Sequence, residues 1–271
     1  MARNFTNEKL SEMLYEALKT QKPIDVISEI DKEATVDDAY DIQLLNVKRA
    51  LEDGETITGK KIGLTSKGMQ ELLGITEPDY GHLYASTEVK NGGTVDMNTV
   101  IRPKVEGEIA FVLKEDLKGP GVTLEDVYKA TDYICASIEI VDSRIKDWKI
   151  KLVDTIADNG SSSMYILGDK KVKLNDVSLP DIEMTLYKNG EAVNSGTGKE
   201  VLGNPAVSVA WLANKLCQYG ITLNKGEVIL SGAITAAPEA FKGDKFECVF
   251  PQLGSVKVEF KWQRIENWSL N

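Results

Sequence analysis

The stretch that decides the fold runs from Arg102 to Leu113 and reads RPKVEGEIAFVL, an apolar run with two glutamates near its centre. Its pattern predicts a β-strand, and alternate side chains of a strand share a face. One face therefore carries two carboxylates, roughly 7 Å apart at their Cα atoms, followed by two apolar side chains: Glu106, Glu108, Ala110 and Val112. A solvated strand face is the alternative. Because this face turns apolar beyond the acids, we expect it to form the wall of a pocket.

A third acid lies in a second apolar strand. Glu139 stands between Ile138 and Ile140 in CASIEIVDSR. Carboxylates buried together without compensation are costly, so three of them near one another require a cation. An all-oxygen set of ligands suits a hard ion such as Mg²⁺ or Mn²⁺. The sequence leaves two possibilities open: Glu139 joins the other two glutamates around one ion, or Arg144 pairs with one of the acids instead.

Two further residues are candidates for proton transfer. Lys61 lies in TGKKIGLTS, within an apolar strand where a neighbouring metal ion would lower its pKa. A surface lysine on a strand is the alternative, and we expect the adjacent Lys60 to be solvated. Asp79 lies in TEPDYGHL, whose Pro78–Gly81 segment predicts a turn. Asp79 either caps that turn or projects into a site as an acid or a base.

Other motifs narrow the class of chemistry. DTIADNGSSS predicts a turn at Asp158–Gly160, and the serines at 161–163 could bind a carboxylate group or satisfy backbone groups. His82 is the single histidine and has no accompanying nucleophile motif, so a hydrolase triad and a zinc site of the His/Cys kind are unsupported. A phosphate-binding loop at SGTGKEVLG is excluded, because Val193 and Glu200 stand where Gly and Ser or Thr are needed.

The composition is that of a soluble globular protein, since 42% of the 271 residues are hydrophobic and 27% are charged. The net charge of −10 and the lack of a lysine or arginine block argue against nucleic-acid binding. No apolar run is long enough to cross a membrane, and the N-terminus lacks the apolar core of a signal peptide, so we expect a cytoplasmic protein. Three cysteines in no metal or redox spacing are expected to be reduced core residues: Cys135, Cys217 and Cys248.

Helical patterns open the chain and recur twice later. Helices are expected at four places: Asn7–Lys19, after Thr35, after Thr123 and after Asn204. Thr35 and Asp38 form a capping box, and Gly54 can end that helix.

The rest of the chain alternates like strands separated by turns. The expected strands are Lys61–Leu64, Glu106–Leu113, Ile134–Val141, Ser163–Gly168, Glu183–Lys188, Glu191–Ser195, Val228–Ser231, Phe246–Phe250 and Val256–Trp262. Asn189-Gly190 predicts a hairpin turn. The last strand is expected to place four apolar side chains on one face: Val256, Val258, Phe260 and Trp262. The sum is a mixed α+β fold rich in antiparallel strands.

Taken together, these stretches resemble the 2-keto-4-pentenoate hydratases (2-hydroxypenta-2,4-dienoate hydratases) of the fumarylacetoacetate hydrolase superfamily. The likeness is carried, in family order from about residue 36 to 262, by GKKIGLTS, EPDYG, RPKVEGEIAFVL, IEIVDSRIKDWK, DTIADNGS, VAWLANKL and GEVILSGAITAA. The resemblance implies a compact β-roll preceded by a small helical portion. Its division would be residues 1–58 helical, 59–262 metal-binding and catalytic, and 263–271 a tail.

The resemblance also implies the residues of the site. A divalent cation, Mg²⁺ or Mn²⁺, would be bound by three glutamates, Glu106, Glu108 and Glu139. Lys61 and Asp79 would transfer protons, with the roles of acid and base left open. Ser161 would lie near the substrate carboxylate, while Gly160 stands where relatives often have Ala. Relatives form homo-oligomers, often pentamers or decamers, and pass intermediates to partner enzymes.

The activity that the resemblance implies is hydration of 2-hydroxypenta-2,4-dienoate to 4-hydroxy-2-oxopentanoate, in meta-cleavage catabolism of aromatic compounds. No redox cofactor is required. Two alternatives stay open. SGAITAA is similar to the matching segment of 2-oxo-3-hexenedioate decarboxylases in the same superfamily, whereas EPDYG is similar to the hydratases. The other alternative is a non-catalytic protein that binds a metal ion or a 2-oxo acid.

Overall fold

The helices lie mainly at the beginning of the chain and around its later strands. The structure, a computed structural model, describes residues 3, 5–73 and 75–262, apart from the side chains at 69, 72 and 73. Its described α-helices are α1 (Asn7–Thr20), α2 (Ile27–Ile30), α3 (Val36–Glu52), α4 (Lys67–Leu73), α5 (Leu124–Ala130), α6 (Leu152–Ala157) and α7 (Pro205–Leu216). The capping boxes that begin at Thr35 and Thr123 are both present, and Asn204 caps α7, so these predictions are confirmed.

The strands form two sheets. They are β1 (Ile57–Gly63), β2 (Asp79–Tyr84), β3 (Glu88–Val89), β4 (Gly93–Asp96), β5 (Lys104–Leu113), β6 (Thr131–Val141), β7 (Ser162–Leu167), β8 (Glu183–Lys188), β9 (Glu191–Thr197), β10 (Val228–Leu230), β11 (Lys245–Phe250) and β12 (Gly254–Lys261). One sheet has the order β2-β1-β10-β5-β6-β7-β3, and the other β4-β12-β11-β8-β9. The mixed fold is therefore as predicted, and each predicted strand is present with slightly different ends.

The main core lies between the two sheets. A Cβ at Gly107, on the face of β5 opposite the two glutamates, would lie 2.8 Å from both Cys248 Sγ and Met184 Cε of the second sheet. Only a residue without a side chain allows the sheets to approach so closely at this point. The other face of β5, which carries Glu106 and Glu108, therefore points away from the second sheet. The site lies on that face.

A helical segment covers the site face at one edge of the seven-stranded sheet. α6 packs against α3 and β2, and the 3₁₀ turn Asn159–Ser161 that follows packs against β1 and β2. Gln43 of α3 donates hydrogen bonds to the carbonyl oxygens of Tyr80 (2.9 Å) and Ile156 (2.8 Å). Because β2 is an edge strand, this cover also protects its free backbone groups.

The predicted turn at Pro78–Gly81 is wrong, because Asp79–Tyr84 forms strand β2. β2 pairs antiparallel with β1, and Asp79 lies opposite Gly63. Proline lacks an N–H and is tolerated just outside the ladder of an edge strand, so Pro78 precedes β2 rather than opening a turn. The hairpin prediction is confirmed: Asn189 and Gly190 join β8 to β9 with φ of 55° and 87°.

The burial of two side chains differs from the prediction: Trp262 is exposed, and Lys60 is buried. Trp262 follows β12 and is 60% exposed, although Val256, Val258 and Phe260 are buried as expected. Lys60 was expected in solvent, yet it is 2% exposed. Its Nζ lies 2.7 Å from both carboxylate oxygens of Glu227, which compensates its burial.

The other predictions on organisation have mixed outcomes. The cysteines are free as predicted, with Cys135 and Cys248 buried and Cys217 half-buried. Within the described residues, no helix is long and apolar enough to cross a membrane. The predicted tail at 263–271 lies outside the described residues. The division at residue 58 stays a prediction.

The buried ion pair gives a stability prediction. Lys60→Met should lower the free energy of unfolding by roughly 3 kcal/mol, because Glu227 is then left buried without its counter-charge. Adding Glu227→Gln should recover part of that loss, since no unpaired charge stays buried. The control is Lys48→Met, whose lysine side chain is 72% exposed, with an expected change within about 0.5 kcal/mol. Urea denaturation measures all three, and equal losses for Lys60→Met and Lys48→Met would contradict the prediction.

Candidate metal centre and active site

Three carboxylates converge on the site face of the seven-stranded sheet. Glu106 on β5 lies directly opposite Glu139 on β6, and Glu108 lies opposite Ser137. One carboxylate oxygen from each of Glu106, Glu108 and Glu139 lies within 4.8 Å of the others. Glu108 and Glu139 are fully buried, and Glu106 keeps partial exposure. The structure therefore brings together the three glutamates that the sequence singled out.

The free oxygens of this cluster fit a cation. Glu108 Oε2 accepts a hydrogen bond from the backbone N–H of Gly232 at 2.7 Å. Its Oε1 and both carboxylate oxygens of Glu139 are buried and make no hydrogen bond of good geometry in the described part of the chain, although Glu139 Oε2 lies 3.4 Å from the Lys61 ammonium. Buried polar atoms in proteins nearly always have partners, so such a group of unsatisfied acceptors needs an explanation. A hard divalent ion, which prefers oxygen ligands, would compensate such a group of acceptors.

The electrostatics of the cluster point the same way. Burial raises the pKa of Glu106 to about 7, and the charge of Glu139 contributes further. The pKa of Glu108 is raised well above its usual range for the same two reasons, and burial also raises the pKa of Glu139. The raised pKa values mean that protons compete with a metal ion for these carboxylates at higher pH than for free glutamates.

Lys61 lies beside the carboxylates. Its side chain is 3% exposed, and its Nζ lies 3.4 Å from Glu139 Oε2. Burial alone would lower the pKa of Lys61, but the charges of Glu139 and the other nearby carboxylates outweigh burial and raise it. The ammonium thus neutralises part of the acidic cluster, and the lowered pKa expected for Lys61 beside a bound metal ion stays a prediction.

Gly160 provides the space for Lys61. Its φ is +60°, and a Cβ at this position would lie 2.7 Å from Lys61 Cε. Both the backbone conformation and the contact therefore favour glycine. A residue with a side chain at this point requires either a different turn or a displaced lysine.

Asp79 also lies on the site face. Of the two roles expected for it, a turn cap or a site residue, this position agrees with the second. It is 1% exposed and is the first residue of β2. Its Oδ2 accepts a hydrogen bond from Thr155 Oγ1 at 2.9 Å, and its Oδ1 has no hydrogen-bond partner in the described residues. A Cβ at Gly63 would lie 2.2 Å from this Oδ1 and 3.3 Å from Lys61 Nζ. Lys61 and Asp79 therefore approach the same point, as two groups that exchange protons with one ligand require.

Ser161 lies in the turn that covers Lys61. It is 2% exposed, and its hydroxyl donates to Asp158 Oδ2 at 3.0 Å. Asp158 is paired with Arg144, whose Nε lies 2.5 Å from Asp158 Oδ1. The guanidinium also donates to the carbonyl oxygens of Asp142 and Ser162. Arg144 thus fixes the turn, and the alternative in which it pairs with a site glutamate is wrong.

His82 lies on the opposite face from Lys61. It pairs in register with Lys60, and burial together with the charge of Lys60 lowers the pKa of His82 to about 3. The ring is therefore neutral near pH 7 and is separated from the carboxylates by the sheet. This placement agrees with the exclusion of histidine-based hydrolase chemistry.

Beyond the acids, the site face becomes apolar as predicted. Ala110, next to Glu108 along the face of β5, belongs to a small buried cluster: Leu83, Ala110, Cys135, Tyr165, Val228 and Leu230. Val112 packs against this cluster and is half-buried. The carboxylates therefore lie between an apolar wall and the polar turn at 159–161.

Comparison with known proteins identifies the family. The family model described as fumarylacetoacetate (FAA) hydrolase C-terminal matches residues 76–261. The chain belongs to the fumarylacetoacetate hydrolase family. The match begins just before Asp79 and includes the three site glutamates.

Its relatives cover nearly the whole chain. A 2-hydroxyhexa-2,4-dienoate hydratase of Comamonas testosteroni is 43% identical over 93% of this chain and 97% of its own length. A 2-keto-4-pentenoate hydratase of Paraburkholderia xenovorans is 41% identical over 94% of each chain. Among solved structures, 4-oxalocrotonate decarboxylase from Pseudomonas putida G7, complexed with magnesium and adipate, has a TM-score of 0.92 and 38% identity, covering 96% of this chain and 100% of that chain.

The structure adds residues that the sequence analysis did not assign. Thr155 and Gly232 bind site carboxylates through a hydroxyl and a backbone N–H, and Gln43 links the covering segment to β2. Thr155 lies within the motif DTIADNGS and Gly232 within SGAITAA, so the motifs marked the right stretches. Neither contact follows from spacing, because each joins residues far apart in the chain.

Removing one ligand charge should weaken metal binding. Glu106→Gln and Glu108→Gln should each raise the dissociation constant for Mn²⁺ at least about 10-fold, which corresponds to about 1.4 kcal/mol. Glu12→Gln serves as the control, because its carboxylate is 55% exposed on α1. Isothermal titration calorimetry with Mn²⁺ alone measures the constants, and unchanged affinity in both site variants would refute the ligand assignment.

Metal affinity should also depend on pH. The pKa of Glu106 is raised from 4.5 to about 7, so between these values the folded protein retains a proton that the ion must displace. Affinity should therefore increase as the pH rises through about 7, with proton release on binding. Titrations with Mn²⁺ in buffers of different ionisation enthalpy measure both quantities. Equal affinity at about pH 5.5 and about pH 8, without proton release, would contradict the prediction.

Proposed function

We propose that this chain is a divalent-metal-dependent hydratase that adds water to 2-hydroxypenta-2,4-dienoate and gives 4-hydroxy-2-oxopentanoate. One observation carries the proposal: a cluster of convergent carboxylates with unsatisfied oxygens lies beside Lys61 and Asp79. The relatives that cover almost the whole chain, and that carry hydratase names, support the same reaction.

The three glutamates would hold Mg²⁺ or Mn²⁺, both of which prefer oxygen ligands. When bound, the ion would stabilise negative charge on the oxygen of the 2-oxo acid. The enol substrate loses the proton of its C2 hydroxyl and gains a proton at C5. Water then adds across the C3=C4 double bond, with its hydroxyl at C4 and its proton at C3. Lys61 and Asp79 approach one point of the site face and would move these protons, while Ser161 would lie near the substrate carboxylate. Lys61 and Asp79 are buried away from bulk water, and this strengthens their interactions with charged groups in the site.

Decarboxylation of a related dicarboxylate is the second candidate, since a decarboxylase structure has the same fold with a TM-score of 0.92. Such a substrate needs a cationic partner for its second carboxylate. Among the described residues, the buried cationic side chains are Lys60, Lys61 and Arg144. Lys60 forms an ion pair with Glu227, and Arg144 forms one with Asp158. Lys61 faces the carboxylates, and half-buried Lys104 lies on the same face of β5 as Glu106. The hydratase names of the relatives favour the first reaction.

Product identification tests the proposal. Purified protein with Mg²⁺ or Mn²⁺ is incubated separately with 2-hydroxypentadienoate and with 2-oxo-3-hexenedioate, with and without chelator. We expect 4-hydroxy-2-oxopentanoate from the first substrate, loss of activity with chelator, and no release of CO₂ from the second. CO₂ release alone would support the decarboxylase, and no turnover of either compound would support a non-catalytic 2-oxo-acid-binding protein.

The same assay separates Lys61 from the metal ligands. Lys61→Ala should keep Mn²⁺ affinity within about 10-fold but lower kcat at least about 100-fold, because a group that transfers protons contributes about that much. Lys48→Ala is the control, because that lysine side chain is 72% exposed. A wild-type rate for Lys61→Ala would remove Lys61 from the reaction. A homo-oligomeric state, a partner enzyme and a cytoplasmic location stay predictions from the sequence.

A further inference from the structure

The hydrogen bond between Thr155 and Asp79 is unusual for a helical threonine. Within a helix, a threonine hydroxyl ordinarily bonds to a backbone carbonyl three or four residues earlier. Thr155 lies in α6, yet its Oγ1 donates to Asp79 Oδ2 at 2.9 Å, 76 residues away in the chain. Thr155 is 4% exposed and Asp79 is 1% exposed. Water therefore does not replace this bond easily.

The bond leaves the other carboxylate oxygen free. Because Oδ2 is occupied by Thr155, Asp79 Oδ1 is the oxygen that reaches the space above Gly63. Lys61 Nζ lies 3.3 Å from the position that a Cβ at Gly63 would take, and Asp79 Oδ1 lies 2.2 Å from that position. A partial rotation of the carboxylate would break the bond to Thr155 and turn the free oxygen away from this space. The hydroxyl thus fixes the plane of the Asp79 carboxylate, and with it the direction of the free oxygen.

The helix that carries Thr155 is itself held in place from several sides. Asp154 is fully buried and accepts hydrogen bonds from the backbone N–H and the hydroxyl of Ser28, at 2.8 and 2.9 Å. Gln43 binds the carbonyl oxygens of both Ile156 and Tyr80, the residues that follow Thr155 and Asp79. The helical segment and the strand are therefore joined by two adjacent links. This arrangement gives Thr155 a defined position relative to Asp79.

We propose that Thr155 is a positioning residue that orients Asp79 for proton transfer. The inference rests on the proposed function, in that Asp79 must exchange a proton with the substrate. The hydrogen bond of the Thr155 hydroxyl goes to Asp79 and not to one of the three site glutamates. Its hydroxyl keeps Asp79 Oδ1 directed at the point that Lys61 also reaches, and this orientation is available before the substrate binds.

Two substitutions separate positioning from packing. Thr155→Val keeps the shape of the side chain and removes the hydroxyl, whereas Thr155→Ser keeps the hydroxyl and removes a methyl group. We expect Thr155→Val to lower kcat at least about 10-fold with KM changed less than about 3-fold. Thr155→Ser should stay within about 3-fold of the wild type. Affinity for Mn²⁺ alone should be unchanged in both variants.

A double variant tests whether the effect passes through Asp79. In an Asp79→Asn background, Thr155→Val should lower kcat no further, because the group that it orients has already been altered. Full additivity of the two substitutions would overturn the inference. So would a wild-type kcat in Thr155→Val, or equal losses in the Val and Ser variants, which would indicate packing alone.

A readout without turnover keeps the inference separate from the proposed function. Crystal structures of the metal-free wild type and of Thr155→Val should show the Asp79 carboxylate in one orientation in the first and rotated or split in the second. An unchanged carboxylate in Thr155→Val would overturn the inference whatever reaction the protein catalyses. If the wild type fails to hydrate the dienoate but the carboxylate does rotate, the proposed function fails and the orientation of Asp79 by Thr155 stands.

Discussion

Repulsion among three clustered carboxylates, two of them fully buried, is the interaction on which the rest of the site depends. The pairing of β5 with β6 places Glu106 opposite Glu139, and the period of the strand places Glu108 on the same face. A fold that gathers these charges needs compensation for them. Lys61 supplies part of it at 3.4 Å from Glu139, and the Gly232 N–H supplies another part. The remaining oxygens could serve as the donor set for an ion.

The covering segment at 152–161 gives the site its second side. Two of its residues attach it to β2: Thr155 bonds to Asp79, and Asn159 bonds to the backbone N–H and C=O of His82. Gln43 of α3 bonds to the carbonyl oxygen of Ile156 and so attaches the segment to α3. It places Gly160 against Lys61 and fixes Ser161 through Asp158. The helical beginning of the chain therefore contributes to the geometry of the site, although its residues do not face the carboxylates.

The sequence predicted the parts of this site that follow from local periodicity. Alternation along one strand placed Glu106 and Glu108 on one face, and the same rule placed Glu139 inside another strand. Convergence of the three depends on the register between strands, which one strand alone does not determine. The sequence could therefore state that convergence only as a possibility, and the structure shows it.

The errors arose where distant partners override local composition. Pro78 and Gly81 favour a turn by composition, but pairing with β1 makes the segment an edge strand. Lys60 has a polar character that predicts exposure, but Glu227 lies 167 residues away and supplies a buried counter-charge. Arg144 could have paired with a site acid, but Asp158, 14 residues further along the chain, is its partner. In each case the deciding contact is long-range.

Anomalous diffraction from a crystal grown with Mn²⁺ and oxalate tests the central claim most directly. Our account predicts one manganese peak bonded to oxygen atoms of Glu106, Glu108 and Glu139, with oxalate completing the coordination and Lys61 within reach of it. No anomalous peak between these carboxylates, or a peak bound to other residues of the chain, would contradict the account.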